Sequence, residues 1–168
     1  EADGVIDAHH AVDDRILGME AKVDEALAPG GRAVSAAPID RAQAYVLKAQ
    51  LHSFHGDMTP AIAALEQARA IAEASVPDLR LQLDEALGIA HLHKAEQDNG
   101  LYRESSELDL LPSPAGQRMA TTTDTTAAIK YFTSYLDREP DEYEVRWLLN
   151  IAHMYAGTYP DGVPKAHL

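Results

Sequence analysis

Apolar residues recur at intervals of three and four positions along most of the chain, which is the spacing of an amphipathic α-helix. The first such run covers about residues 5–28 and stops at the turn-forming triplet Pro29-Gly30-Gly31. Similar runs predict helices over about 39–55, 60–75, 78–97, 124–138 and 141–157. Alternation of apolar and polar residues with a period of two, which marks a half-buried strand, is missing from the sequence. The pattern therefore predicts an all-α fold.

One segment, about 99–123, breaks this pattern. It shows no sustained helical period and contains Pro112, Pro114, Gly116 and the run Thr121-Thr122-Thr123. We predict a long inserted loop here, a feature that is uncommon inside a compact domain and often has a function. Two interpretations stay open: the loop fills a groove of its own domain through its leucines, or it docks on a neighbouring molecule.

The sequence also contains an internal repeat. The segments 51–57 and 152–158 align with each other, and the segment 87–93 falls in the same register, so that His52, His91 and His153 share one position. They resemble the first helix of a tetratricopeptide (TPR) repeat, a helix–turn–helix unit of about 34 residues. The matches in the first copy are Tyr45, Ala49, His52, Gly56, Ala61, Leu65 and Ala68. The matches in the second are Leu87, Gly88 and His91, followed after the insertion by Ala128, Phe132 and Pro140, and those in the third are Leu149, Asn150, His153 and Gly157.

The resemblance implies an α-solenoid of TPR-like helix pairs, in which small residues let paired helices approach closely and neighbouring pairs stack. On this basis the chain is one domain that opens with an N-terminal capping helix. The parts are a capping helix and linker (1–37), a first repeat (38–76), a second repeat with the insertion at about 99–123 (77–140), and the first helix of a third repeat with a tail (141–168).

The C-terminal part carries a second resemblance. The stretches 128–132, 139–141, 146–152 and 159–164 look like the TPR-containing N-terminal part of exported bacterial proteins that continue into an FG-GAP/VCBS β-propeller and an ASPIC/UnbV domain. This resemblance implies an extracytoplasmic location, periplasmic or secreted, with a cytoplasmic one still open. The inserted loop of that family usually carries cysteines and a glycine-rich stretch. Both are missing here, so no loop function is carried over.

In TPR arrays, ligands commonly lie in a concave groove lined by the first helix of each repeat. Carried over by motif position, the resemblance implies a groove lined by Gln43, Val46, Gln50, Phe54, Glu85, Ile89, His93, Trp147, Ile151, Met154 and Tyr155. The last four are unusually apolar and include the chain's only tryptophan. An exposed cluster of this kind marks a contact surface. A second interpretation is that the inserted loop, or an element after the third helix, covers the cluster.

Charge and composition narrow the range of partners. The 27 Asp and Glu residues outnumber the 14 Lys and Arg residues, which leaves a net charge of −13. This balance argues against nonspecific nucleic-acid binding and against docking on an anionic membrane. The chain has no cysteine, which excludes disulfides and thiolate catalysis, and no apolar run approaches the ~18 residues of a membrane span. Its first residue is Glu1, which indicates a mature or trimmed product.

The eight histidines are the residues to weigh as metal or haem ligands. His52, His91 and His153 share the motif position that packs an aromatic ring between helices, and we interpret their imidazoles as core or near-core spacers. Successive repeats place such rings about 8–10 Å apart, too far for one metal ion, so no metal or cofactor is predicted. Nucleophile-elbow, zinc-protease, phosphate-loop and dinucleotide motifs are missing, so we do not expect an enzyme.

The sequence therefore predicts a non-catalytic interaction or scaffold module of an exported bacterial protein, with a protein or peptide as its partner. One alternative is a structural subunit that stacks head to tail into oligomers or filaments, because the third repeat ends without its second helix. A further alternative is an accessory subunit that binds a metal or haem through its histidines.

Overall fold

The structure of the protein is a computed structural model that describes residues 2–102 and 118–168, with side chains described from residue 11 onward. In these ranges the backbone forms six α-helices and no β-strand. The helices are α1 (Ala2–Leu27), α2 (Pro38–Phe54), α3 (Met58–Ser75), α4 (Arg80–Asp98), α5 (Thr123–Leu136) and α6 (Tyr143–Tyr155). Two short 3-10 helices lie at Pro77–Leu79 and Lys165–His167. The all-α prediction is confirmed, and every predicted helix end lies within three residues of the observed one.

The predicted inserted loop falls between α4 and α5. Its two ends, 99–102 and 118–122, are part of the described structure and have no regular helix or strand. Residues 103–117 lie outside the described ranges. Both interpretations of the loop's role depend on these residues, so both stay predictions.

The start of α3 differs from its sequence prediction. The dipeptide Thr59-Pro60 predicts a capped start with proline at the first helical position, which is wrong by two residues. The helix begins at Met58, because Gly56 (φ +79°) reverses the chain and the amide of Ala61 donates to the carbonyl of Asp57 at 3.2 Å. Pro60 is tolerated there because backbone amides of the first turn have no acceptor within the helix.

The chain divides into two compact units, residues 1–77 and 78–168. This division falls one residue from the predicted junction between the first and second repeats. In the N-terminal unit, α2 packs against α3 and α1 packs against α2. Ala49, Ala61 and Ala68, three small residues of the repeat motif, are almost completely buried. Because alanine adds little beyond the backbone, these positions let helices approach closely.

The contact between α1 and α2 has an apolar part and a charged part. Ile16, Val23 and Leu51 form a small buried cluster. Beside it, the Lys48 ammonium lies 2.5 Å from the carboxylate of Asp24. The long first helix is therefore attached to the rest of its unit by side chains from two separate turns.

In the C-terminal unit, α4 packs against α5 and α5 packs against α6. The contact of α4 with α5 is very close at Gly88, where a Cβ atom would lie 2.4 Å from Cε1 of the fully buried Phe132 ring. Glycine is therefore required at position 88. The shared core of this unit consists of Leu92, Ala95, Met119, Ala128, Phe132, Tyr135, Leu136, Val145, Leu149, Ile151, Ala152 and Tyr155.

A buried polar contact also joins α4 to α5. The carboxylate of Asp84 is fully buried and accepts a hydrogen bond from the Ser134 hydroxyl at 2.8 Å. The Arg80 guanidinium, one turn earlier on α4, lies 3.9 Å from the same carboxylate. Because a buried carboxylate is costly without partners, this contact favours one rotational setting of α4 against α5.

Both described ends of the inserted loop are fixed to the C-terminal unit. The Asn99 side chain accepts a hydrogen bond from the amide of Thr121 and donates one to its carbonyl, each at 2.9 Å. Met119 is completely buried, and its amide donates to the carbonyl of Tyr155 at 2.8 Å. The ends of the insertion therefore belong to the folded core.

The C-terminal tail folds back onto α6. Val163 and His167 are buried, and the 3-10 helix at Lys165–His167 packs against α6. The Asn150 side chain donates to the carbonyl of His167 at 2.7 Å. This tail therefore covers part of α6.

Candidate partner-binding surface

Helix α6 presents two large aromatic side chains to solvent. Val145, Leu149 and Ala152 form a completely buried stripe on this helix, and Tyr143 and Trp147 lie away from it. Tyr143 is 76% exposed and Trp147, one turn later, is 61% exposed. Trp147 is therefore exposed, in agreement with one of the two interpretations that the sequence left open, and Tyr143, which the repeat positions did not single out, is exposed beside it. Its signal in the sequence is the four-residue spacing from Trp147.

Acidic side chains surround this aromatic pair. Burial, and then repulsion by Glu142 and Glu144, raise the pKa of Glu85 on α4 above its ordinary value. Both repelling residues lie at the start of α6, next to Tyr143. Glu85 of α4 therefore lies near the carboxylates at the start of α6, and we call Glu85, Glu142, Glu144, Tyr143 and Trp147 the α4–α6 surface.

The other two predicted groove residues of α4 follow Glu85 at intervals of one turn. Ile89 is partly exposed and His93 is exposed. The imidazole of His93 hydrogen-bonds to the hydroxyl of Tyr102 at 2.8 Å, and that hydroxyl also donates to Glu96. Tyr102, at the first end of the insertion, therefore contacts α4 beside His93, the last of these three groove residues.

The predicted groove residues of α2 belong to the N-terminal unit. Gln43 and Gln50 are exposed and Val46 is half-buried. Phe54 is 63% exposed at the last position of the helix. These four side chains are accessible, and their role in binding stays a prediction.

Two predicted groove residues of α6 are not on the surface. Ile151 and Tyr155 are only 5% and 6% exposed and belong to the core of the C-terminal unit. Met119, at the second end of the insertion, belongs to the same core, and its amide donates to the carbonyl of Tyr155. Their prediction as groove-lining residues is wrong, whereas Met154 is half-buried and keeps a partly accessible side chain.

The three aligned histidines each have a local structural partner. His91 stacks on Tyr131 with 5.6 Å between ring centroids, and its Nδ1 lies 2.8 Å from the Asp124 carboxylate. His52 is half-buried, with its Nδ1 3.5 Å from the Glu20 carboxylate. These placements agree with the interpretation of the imidazoles as core or near-core spacers.

The third histidine, His153, predicts a pH effect on stability. Its side chain is buried, its Nδ1 lies 2.8 Å from the Thr158 hydroxyl, and burial lowers its pKa. As the pH falls through about 6.5, the unfolded chain binds a proton at this residue more readily than the folded chain does, so stability falls. We expect the difference in free energy of unfolding between wild type and His153→Gln to narrow from about pH 7.5 to about pH 5.5, as measured by urea denaturation. A difference that stays constant over this range contradicts the prediction.

Within residues 11–102 and 118–168, whose side chains the structure describes, no three His, Asp or Glu side chains are grouped in a way that suits a metal ion. None of the helices in those ranges has the length and apolarity needed to cross a bilayer.

The chain was compared with family models, curated proteins and solved structures. No family model, curated protein or solved structure matches the chain.

Proposed function

We propose that the protein is a non-catalytic interaction module built of TPR-like helix pairs, and that its C-terminal unit binds a basic segment of a partner protein. The observation that carries this proposal is the exposure of Trp147 and Tyr143 on α6, beside the mutually repelling carboxylates of Glu85, Glu142 and Glu144. Such a surface offers both an aromatic anchor and a negative charge to a ligand.

The TPR-like arrangement is supported by specific contacts. Gly88 and Phe132 both occupy motif positions, and these two residues touch although 24 residues separate α4 from α5. The extracytoplasmic location and the scaffold role are parts of the same proposal and rest on the resemblance to exported bacterial proteins. The stacking of the two units into a solenoid is likewise proposed.

The aromatic anchor accounts for affinity. Tryptophan and tyrosine are the residues that most often dominate binding energy at protein interfaces, because each buries a large rigid surface at small entropic cost. Trp147 and Tyr143 are one helical turn apart, so they offer one continuous patch to a peptide. The Arg146 guanidinium lies 5.6 Å from the centre of the Tyr143 ring and donates to the backbone oxygen of Leu168 at 3.0 Å.

The carboxylates account for specificity. Burial, and then repulsion by Glu142 and Glu144, disfavour the ionised form of Glu85, and a lysine or arginine side chain bound nearby would offset the repulsion. An acidic partner would add to the repulsion. The surface therefore favours a peptide that combines basic residues with an apolar one.

Trp147 is the only tryptophan in the chain, so its fluorescence reports directly on the proposed site. The probe is a pool of random peptides of about 12 residues composed of Lys, Leu, Phe, Gly and Ser, compared with a pool in which Glu replaces Lys. We expect the lysine pool to shift the emission to shorter wavelength and to protect Trp147 from acrylamide quenching. Equal responses to both pools, or none, contradict the proposal.

Matched variants then locate the site by calorimetry with the tightest peptide of the lysine pool. Trp147→Ala is expected to weaken binding about 30-fold, the effect of losing a hot-spot residue of ~2 kcal/mol. Its melting temperature should stay near that of wild type, because the side chain is largely exposed. Glu85→Gln is expected to weaken binding several-fold, whereas Glu66→Gln, an exposed residue of α3 in the N-terminal unit, is the charge-matched control and should have no effect.

Head-to-tail assembly is the alternative function that the structure bears on most directly. It requires a bare apolar end after α6, and the buried Val163 and His167 show that the tail occupies part of that end. The interaction module is therefore favoured. Light scattering over a range of protein concentrations separates the two, since assembly predicts a mass that rises with concentration.

A further inference from the structure

The N-terminal unit contains a cavity of about 440 Å³ that the proposed function does not use. It opens between α1, α2 and the loop that connects them. Its apolar lining consists of Met19, Val23, Ala26, Ala33, Ala36, Ala44 and Leu47. A cavity of this size, apolar with a few polar groups, is typical of small-molecule sites.

The fold keeps this space open through small residues and a fixed loop. The amide of Ala33 donates to the carbonyl of Ala26 at 2.9 Å, which attaches the loop to the last turns of α1. At Gly31 a Cβ atom would lie 2.4 Å from the carbonyl oxygens of Glu25 and Ala26, so only glycine permits this approach. Alanines line the facing walls, where larger side chains would fill the cavity.

Two cationic side chains stand at one end of the cavity. Lys22 and Arg32 line it, and both also line an adjoining cleft of about 500 Å³. Within the described part of the chain, neither side chain has an ion pair or a hydrogen bond. The neighbouring acid Asp24 is paired with Lys48 of α2. The cavity therefore combines an apolar interior with two available positive charges at its junction with the cleft.

We propose that this cavity binds an amphipathic monocarboxylate, a compound with one carboxylate and an unbranched or aromatic apolar part. The apolar part would lie against Val23 and Leu47, and the carboxylate would meet Lys22 and Arg32. Asp40 lines the cavity and Glu25 lines the cleft, and these two acids disfavour a ligand with a second negative charge. The inference is independent of the α4–α6 surface, since every residue it uses lies in the N-terminal unit.

The test compares two ligands with the same tail and opposite charge. Decanoate and decyltrimethylammonium, both below their micelle concentrations, are titrated into the full chain by calorimetry, with acetate as the head group alone. We expect decanoate to bind and to raise the melting temperature, and we expect the cationic ligand and acetate to bind much more weakly. Equal binding of the two ten-carbon ligands, or no binding of decanoate, overturns the proposal.

Variants identify the two halves of the site. The double substitution Lys22→Gln and Arg32→Gln is expected to weaken decanoate binding about tenfold, since it removes two exposed charge interactions. Arg138→Gln, at an exposed position in the C-terminal unit, is the matched control. Ala44→Leu should abolish binding by filling the cavity. Unchanged decanoate binding in the folded Lys22/Arg32 variant contradicts the assignment even if Ala44→Leu does not fold.

Discussion

Replacing Phe132 with alanine is expected to lower the free energy of unfolding of the C-terminal unit by about 3–5 kcal/mol. The ring is fully buried and lies against Gly88, where there is no side chain to move into the space that the substitution leaves. Neighbouring core residues such as Leu136 and Leu149 are held by their own helices, so the cavity should collapse only in part. A loss of this size is a large share of the stability of a small domain.

Trp147 fluorescence during urea denaturation measures this loss, because the chain's only tryptophan lies in the C-terminal unit. Phe54→Ala, followed by circular dichroism because Phe54 lies in the N-terminal unit, is the matched control. It makes the same chemical change at a residue that is 63% exposed, and we expect an effect within about 0.5 kcal/mol. If both variants lose similar amounts of stability, or if Phe132→Ala costs less than about 1 kcal/mol, the ring does not hold α4 and α5 together as described.

The contact of Phe132 with Gly88 shows what the sequence predicts well. Both residues occupy motif positions, and the motif encodes a physical requirement: a large ring on one helix needs a small residue opposite it. This requirement survives an insertion of any length, because it concerns helix packing and not chain distance. The same logic placed the buried alanines Ala49, Ala61 and Ala68 correctly.

The repeat motif does not predict the exposure of helix residues that pack against segments lying outside the motif. Ile151 and Tyr155 have groove positions by register, yet the structure buries both. Met119, which contributes to their burial, lies at the end of a stretch without helical periodicity. Non-local burial of this kind leaves no periodic signal, so the sequence alone predicts the opposite exposure.

The candidate surface and the cavity also combine features that one helix determines with features that depend on contacts between separate segments. The sequence singled out Trp147 from its place within one helix, but it left open whether another segment covers that side chain. The charge cluster required knowing that α4 brings Glu85 close to the start of α6. The cavity depends on small residues contributed by two helices and a loop. Alanine is common in helices, so its presence in the sequence does not predict a cavity.

Replacing Met119 with alanine is expected to destabilise the C-terminal unit by about 2–5 kcal/mol. The side chain is completely buried, its sulfur lies 3.7 Å from the Thr125 hydroxyl, and its backbone amide bonds to Tyr155. Because Met119 joins the end of the insertion to both α5 and α6, its truncation should also accelerate amide hydrogen exchange at the start of α5. Met119→Leu is the control at the same position, since it keeps the side-chain volume and should cost less than about 1.5 kcal/mol. If Met119→Ala leaves the urea midpoint unchanged, the insertion is an appendage and not part of the core.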